Sequence, residues 1–142
     1  MSGPGSPVFL DSSGYLALVS ARDARHQEAR VAWTQLTEEH WRTLTTNFVI
    51  AETHALFLAR LSWSHAAAFL RQFARSTTTI ARVEPADERR AFEIIFQYED
   101  KAWSLTDATS FAVMERLQIM HAFTFDRDFS RYGFIPVARL QR

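Results

Sequence analysis

Short apolar runs alternate with amphipathic helical stretches from residue 8 to residue 137, and this alternation constrains the fold more than any other feature of the chain. The run VFL (residues 8–10) is stopped by Asp11 and Ser12, after which SGYLALVS places Tyr15, Leu16 and Val19 at helical spacing. Residues 25–39 carry Ala29, Ala32, Trp33 and Leu36 three and four residues apart with charges between them, the pattern of a helix with one buried face. TLTT at 43–46 is β-branched and short, and Asn47 is expected to cap a helix over 48–61. After the break SWS, AAAFLRQFAR predicts a fourth helix, and TTTIARV at 77–83 predicts a strand. Pro85 suits the first turn of a helix over 85–99. A helix over 106–118, a strand over about 120–125 and a short strand near Phe134 to Val137 complete the series. Strands separated by crossover helices predict an α/β three-layer sandwich, with a mainly parallel central sheet of about five strands flanked by helices.

At 142 residues, with hydrophobic side chains at 47%, the chain suits a single domain, read as residues 8–142. The opening MSGPGSP, residues 1–7, is Gly/Pro/Ser-rich and is expected to be a disordered N-terminus or an expression scar. No apolar run approaches the roughly 20 residues that span a bilayer, and the N-terminus lacks a signal-peptide core, so a cytoplasmic protein is expected. The absence of cysteine excludes disulfides, thiolate metal sites and cysteine nucleophiles. A formal net charge of zero supplies no global attraction to nucleic acid, although all the basic residues but Lys101 are Arg, which makes bidentate phosphate contacts.

Four acids interrupt or flank the apolar stretches. Asp11 closes VFL, Glu52 lies within NFVIAETHALFLARL, Asp107 opens TDATSFAVMERL, and Asp126 ends HAFTF. Glu52 has Phe48, Val49, Ala55 and Leu56 as its helical neighbours, so it projects from an apolar face. Each acid has an ordinary reading as well. Glu52 can reach the helix edge or pair with an Arg, Asp11 can cap the helix that begins near Ser13, Asp126 or Asp128 can cap the turn DRDFSRYGF, and Ser104 with Asp107 fits a capping box. Their joint placement does not follow from capping, because the fold brings Asp11 and Asp126 to the carboxyl ends of strands, where α/β sheets bind ligands. Converging carboxylates repel unless a cation lies among them, and oxygen ligands point to Mg²⁺ or Mn²⁺. No HxxxH or HxH pair supports zinc, no GxSxG supports a serine nucleophile, and no GxxxxGK loop is present.

Taken in order, VFLDSSGYLAL, NFVIAETHALFLARL, DKAWSLTDATSFAVMERL and AFTFDRDFSRYGF resemble the PIN domain family, and most of all its VapC-type toxins of toxin–antitoxin pairs. The resemblance spans Val8 to Val137. It implies a PIN-like sandwich whose catalytic and metal-binding acids are Asp11, Glu52, Asp107 and Asp126, with Ser12 and Ser104 in support. Asp128 falls where relatives often carry His or another acid and is a further candidate ligand; Asp100 is assigned a structural role. The implied activity is metal-dependent endoribonuclease cleavage of RNA, with a cognate antitoxin and a homodimer as partners and no membrane. Because four Trp and twelve Phe exceed the needs of one small core, some of Trp33, Phe57, Trp63 and Phe69 are expected to line exposed apolar patches. Two other readings use the same residues: a catalytically degenerate PIN-fold binding or dimerisation module, and an aspartate-based phosphatase-like α/β domain acting through Asp11. The second is disfavoured because Ser12 and Ser13, not an Asp two residues on, follow Asp11.

Overall fold

The computed structural model describes residues 4–137. Five strands, β1 (Pro7–Leu10), β2 (Arg42–Thr45), β3 (Thr79–Ile80), β4 (His121–Phe123) and β5 (Ile135–Pro136), form one sheet in the order β3-β2-β1-β4-β5. Every neighbouring pair is parallel, with Phe9 opposite Leu44 on one side and Ala122 on the other. Parallel strands need crossovers, and among the described residues seven helices accompany them: α1 (Ser12–Val19), α2 (His26–Glu38), α3 (Asn47–Arg60), α4 (Trp63–Arg75), α5 (Pro85–Gln97), α6 (Leu105–Leu117) and α7 (Arg127–Tyr132). The chain lays down β1, β2 and β3 in one direction and then returns to the other side of β1 for β4 and β5. The order therefore reverses between β1 and β4, and such switch points open a crevice at the carboxyl ends of the strands.

The pleat of β1 divides the core. Val8 and Leu10 face one way, with Phe123 of β4, against Ala17 of α1 and Ala29, Ala32 and Leu36 of α2. Phe9 faces the other way, with Leu44 and Ala122, against Ala91 and Ile94 of α5, Phe111 and Met114 of α6, and Phe129 of α7. A third cluster joins Leu16 of α1, Phe57 of α3 and Ala66 and Phe69 of α4. Strand β1, apolar on both faces, is thereby the centre of a three-layer sandwich. None of the described helices is long and apolar enough to cross a membrane.

Several local expectations shift. The cap of α3 is Thr46, whose hydroxyl accepts from the Val49 N–H at 3.1 Å, while the Asn47 side chain accepts from the Val83 N–H at 2.9 Å. Ordered backbone starts before residue 8, because Gly5 N–H donates to His40 O and Arg42 N–H to Ser6 O, both at 2.8 Å. Residues 1–3 and 138–142 lie outside the described chain. DRDFSRYGF, read as a turn, holds α7, a six-residue helix that buries Phe129. Strand β4 ends at Phe123 because the Thr124 hydroxyl accepts from the Asp126 N–H at 3.0 Å, closing a side-chain turn. Of the aromatics among which exposed ones were expected, Phe57 and Phe69 are 0% and 7% exposed, since α4 folds over α3 and packs against them, whereas Trp63 is 67% exposed.

Candidate active site

Asp11 follows β1 directly and is the N-cap of α1, its side chain accepting from the Ser13 N–H. Only 2% of Asp11 is exposed. Its Oδ2 receives the Ser13 hydroxyl at 2.7 Å and the Thr124 hydroxyl at 2.9 Å. Helix α1 comes this close to β4 because residue 14 is glycine: a Cβ there would lie 2.5 Å from the Phe123 carbonyl oxygen. Glu52 projects from the second turn of α3 and accepts the Ser12 hydroxyl at 2.7 Å, so α1 and α3 are joined at the crevice through polar groups.

Asp107 lies in the first turn of α6. Ser104 is the N-cap and accepts from the Asp107 N–H at 3.1 Å, but the return bond of a capping box is missing. The Asp107 carboxylate consequently accepts no hydrogen bond and forms no ion pair among the described residues, although Asp107 is 9% exposed. Asp126 is the N-cap of α7, with Oδ1 accepting from the Asp128 N–H at 2.9 Å. Asp128, in the first turn of α7, pairs with Arg131 at 3.4 Å. Carboxylate oxygens of Asp107, Asp126 and Asp128 lie within 4.8 Å of one another. The structure thus places Asp128 beside two of the four acids picked out in the sequence, Asp107 and Asp126; Asp11 and Glu52 lie outside that 4.8 Å group.

Electrostatics records the crowding. Burial pushes Asp107 up to about 8, reinforced by the charges of Asp11, Asp126, Glu52 and Asp128. Asp11 is pushed up to about 6, chiefly by burial, against the lowering effect of its bonds from Ser13 and Thr124. Asp126 is raised too, by burial before its neighbour Asp128, with Arg131 acting in the opposite direction. A carboxylate this buried is costly unless something positive approaches it. The donor set is all oxygen, and the acid with the highest pKa is the one without a protein partner, so the residues fit a hard divalent cation.

Sequence reasoning missed Ser13 and Thr124. The spacing T-x-D, which makes the turn after β4, was a readable signal for Thr124; Ser13 was visible only as a second hydroxyl beside Ser12.

An all-parallel sheet with this carboxylate crevice at its switch point matches a known architecture. Residues 8–135 match the PIN domain model, and the chain belongs to the PIN domain family, within its VapC-type toxin ribonucleases. The 23S rRNA-specific endonuclease VapC20 of Mycobacterium tuberculosis is 38% identical over 133 residues, which cover 92% of this chain and 97% of that protein. The crystal structure of Mycobacterium tuberculosis VapC20, described as a sarcin–ricin loop cleaving toxin, superposes with a TM-score of 0.83 at 33% identity, covering 90% of this chain and 96% of the other. VapBC2 from Rickettsia felis, bound to a DNA fragment from its promoter, gives a TM-score of 0.68 at 12% identity, covering 92% and 96%. VapBC-1 from nontypeable Haemophilus influenzae gives 0.67 at 9%, covering 92% and 95%. The last two similarities concern the fold alone.

Proposed function

We propose that this protein is a Mg²⁺- or Mn²⁺-dependent endoribonuclease that cuts an exposed loop of 23S rRNA and is restrained by a cognate antitoxin. The observation that carries the reading is the buried, partnerless Asp107 carboxylate beside Asp126 and Asp128. In this reading Asp11, Glu52, Asp107 and Asp126 hold the metal, and Asp128 is a further ligand. A divalent ion bound there lowers the pKa of water and neutralises charge on the phosphodiester. Ser12 holds Glu52, and Ser104 fixes the helix start that presents Asp107. Arg25, whose guanidinium lies 5.9 Å from the centre of the Phe125 ring, and exposed Arg127 flank Asp126 and supply phosphate contacts.

The antitoxin is assigned to an apolar groove of about 470 Å³ lined by Leu18, Trp33, Phe69 and Phe73 among others, which receives apolar side chains of a partner segment. A homodimer is proposed through the exposed face of α5, where Phe92 and Phe96 are 48% and 78% exposed.

Purified protein should cut 23S rRNA in intact ribosomes, mapped by primer extension, with added Mg²⁺ or Mn²⁺. Chelator and Asp107→Asn should each abolish cutting while circular dichroism stays unchanged. Wild-type cleavage that persists in excess chelator contradicts the metal-dependent reading.

A further inference from the structure

We propose that Thr124 and Ser13 are positioning residues that make Asp11 a one-oxygen ligand, reserving Oδ1 for the metal and tying Asp11 to the backbone that carries Asp126. The proposal rests on the metal-site reading above and deepens it.

Oδ2 of Asp11 is fully engaged. It accepts from the Ser13 N–H at 3.4 Å, the Ser13 hydroxyl at 2.7 Å and the Thr124 hydroxyl at 2.9 Å, while Oδ1 accepts no hydrogen bond among the described residues. A hydroxyl has one proton and two lone pairs. With their protons directed to Asp11, Ser13 and Thr124 have none left for each other across their 3.1 Å separation. Their lone pairs serve the loop after β4 instead. Ser13 accepts from the Phe125 N–H at 2.9 Å, and Thr124 accepts from the Asp126 N–H at 3.0 Å. Two successive amides of the segment bearing Asp126 are therefore connected, each through one hydroxyl, to one oxygen of Asp11. Thr124 is 2% exposed, so water cannot readily take over the role of its hydroxyl.

Such a connection fixes two ligands from different strands relative to each other. Its effect belongs to the metal-binding geometry, because groups that orient ligands typically change metal affinity by about 10–100-fold. Thr124→Val keeps the shape of the side chain and removes the hydroxyl; Thr124→Ser keeps the hydroxyl and removes the methyl.

The test is calorimetric titration of RNA-free protein with Mn²⁺, alongside thermal melting of the metal-free forms. Thr124→Val should weaken Mn²⁺ binding about tenfold or more, and Thr124→Ser should return it to within about threefold of wild type. Ser13→Ala should weaken binding in the same direction, giving a second, independent variant if Thr124→Val folds poorly. The proposal is overturned if both hydroxyl-deleted variants bind Mn²⁺ as wild type does, or if Thr124→Ser is as weak as Thr124→Val, which would assign the residue to packing. Failure of the underlying metal reading looks different: the wild type itself would take up no Mn²⁺.

Discussion

The Ser12 hydroxyl donates to Glu52 Oε1 at 2.7 Å across 40 residues of sequence, joining the first residue of α1 to the second turn of α3 at the mouth of the crevice. Glu52 is set among apolar neighbours on its helix, so this bond determines where its carboxylate points. Ser12→Ala should reduce metal-dependent RNA cleavage by about tenfold while lowering the melting temperature only slightly, because one hydrogen bond at a partly buried site contributes about 1 kcal/mol. Cleavage rates and melting curves measured on the same preparation check both halves.

Stability without metal should fall as pH rises. Asp107 at about 8, Asp11 at about 6 and a raised Asp126 all bind protons more tightly in the folded state than in the unfolded chain, where Asp titrates near 4. Below about pH 4 both states are protonated and the site carries no penalty; between about pH 4 and about pH 8 the folded site must lose protons against burial and repulsion, so stability declines. Asp107→Asn should flatten this decline and raise the metal-free melting temperature at pH 8. Added Mn²⁺ should stabilise the wild type more than the variant. Differential scanning calorimetry across this range, with and without Mn²⁺, is the measurement.

Gly14 admits no side chain, because its Cβ would lie 2.5 Å from the Phe123 carbonyl and 2.7 Å from the Phe123 ring. The first contact is backbone, which cannot move aside as a side chain can. Gly14→Ala should therefore destabilise the protein by about 1–3 kcal/mol, the range for an overfilled core. It should also weaken cleavage beyond what stability explains, since the displaced helix carries Ser12 and Ser13. Urea denaturation and residual activity of the folded fraction separate the two effects.

Away from the crevice, Asp87 of α5 is 2% exposed and takes two bonds from the Arg116 guanidinium of α6, at 2.8 and 2.9 Å. Arg116→Ala leaves that carboxylate buried with only the Glu84 N–H as partner and should cost about 2 kcal/mol. Arg116→Lys should recover part of this, because an ammonium cannot reproduce the two-pronged contact. Chemical denaturation of both variants tests the order.

Asp11, Glu52, Asp107 and Asp126 were legible in the sequence because each breaks or borders an apolar pattern, and a charge against such a pattern is visible without coordinates. The alternation of strands and helices was legible for the same reason: burial of one helical face or both sheet faces writes a period into the chain. Helix α7 was not, since six residues with one buried side chain are too short to show a period. A surplus of aromatic residues could not say which of Trp33, Phe57, Trp63 and Phe69 lie exposed, because composition cannot tell that α4 closes over α3.

The sequence alone determined the α/β class and singled out Asp11, Glu52, Asp107 and Asp126 as candidate oxygen ligands, because local periodicity and residue type carry those signals. Tertiary structure decided the strand order that opens the crevice between β1 and β4, the entry of Asp128, and the meeting of Ser13 with Thr124 across 111 residues. The physical reason is that hydrogen bonds between side chains distant in sequence leave no periodic trace. Only the packing of α1 against β4, allowed by Gly14, brings those hydroxyls to the same carboxylate oxygen.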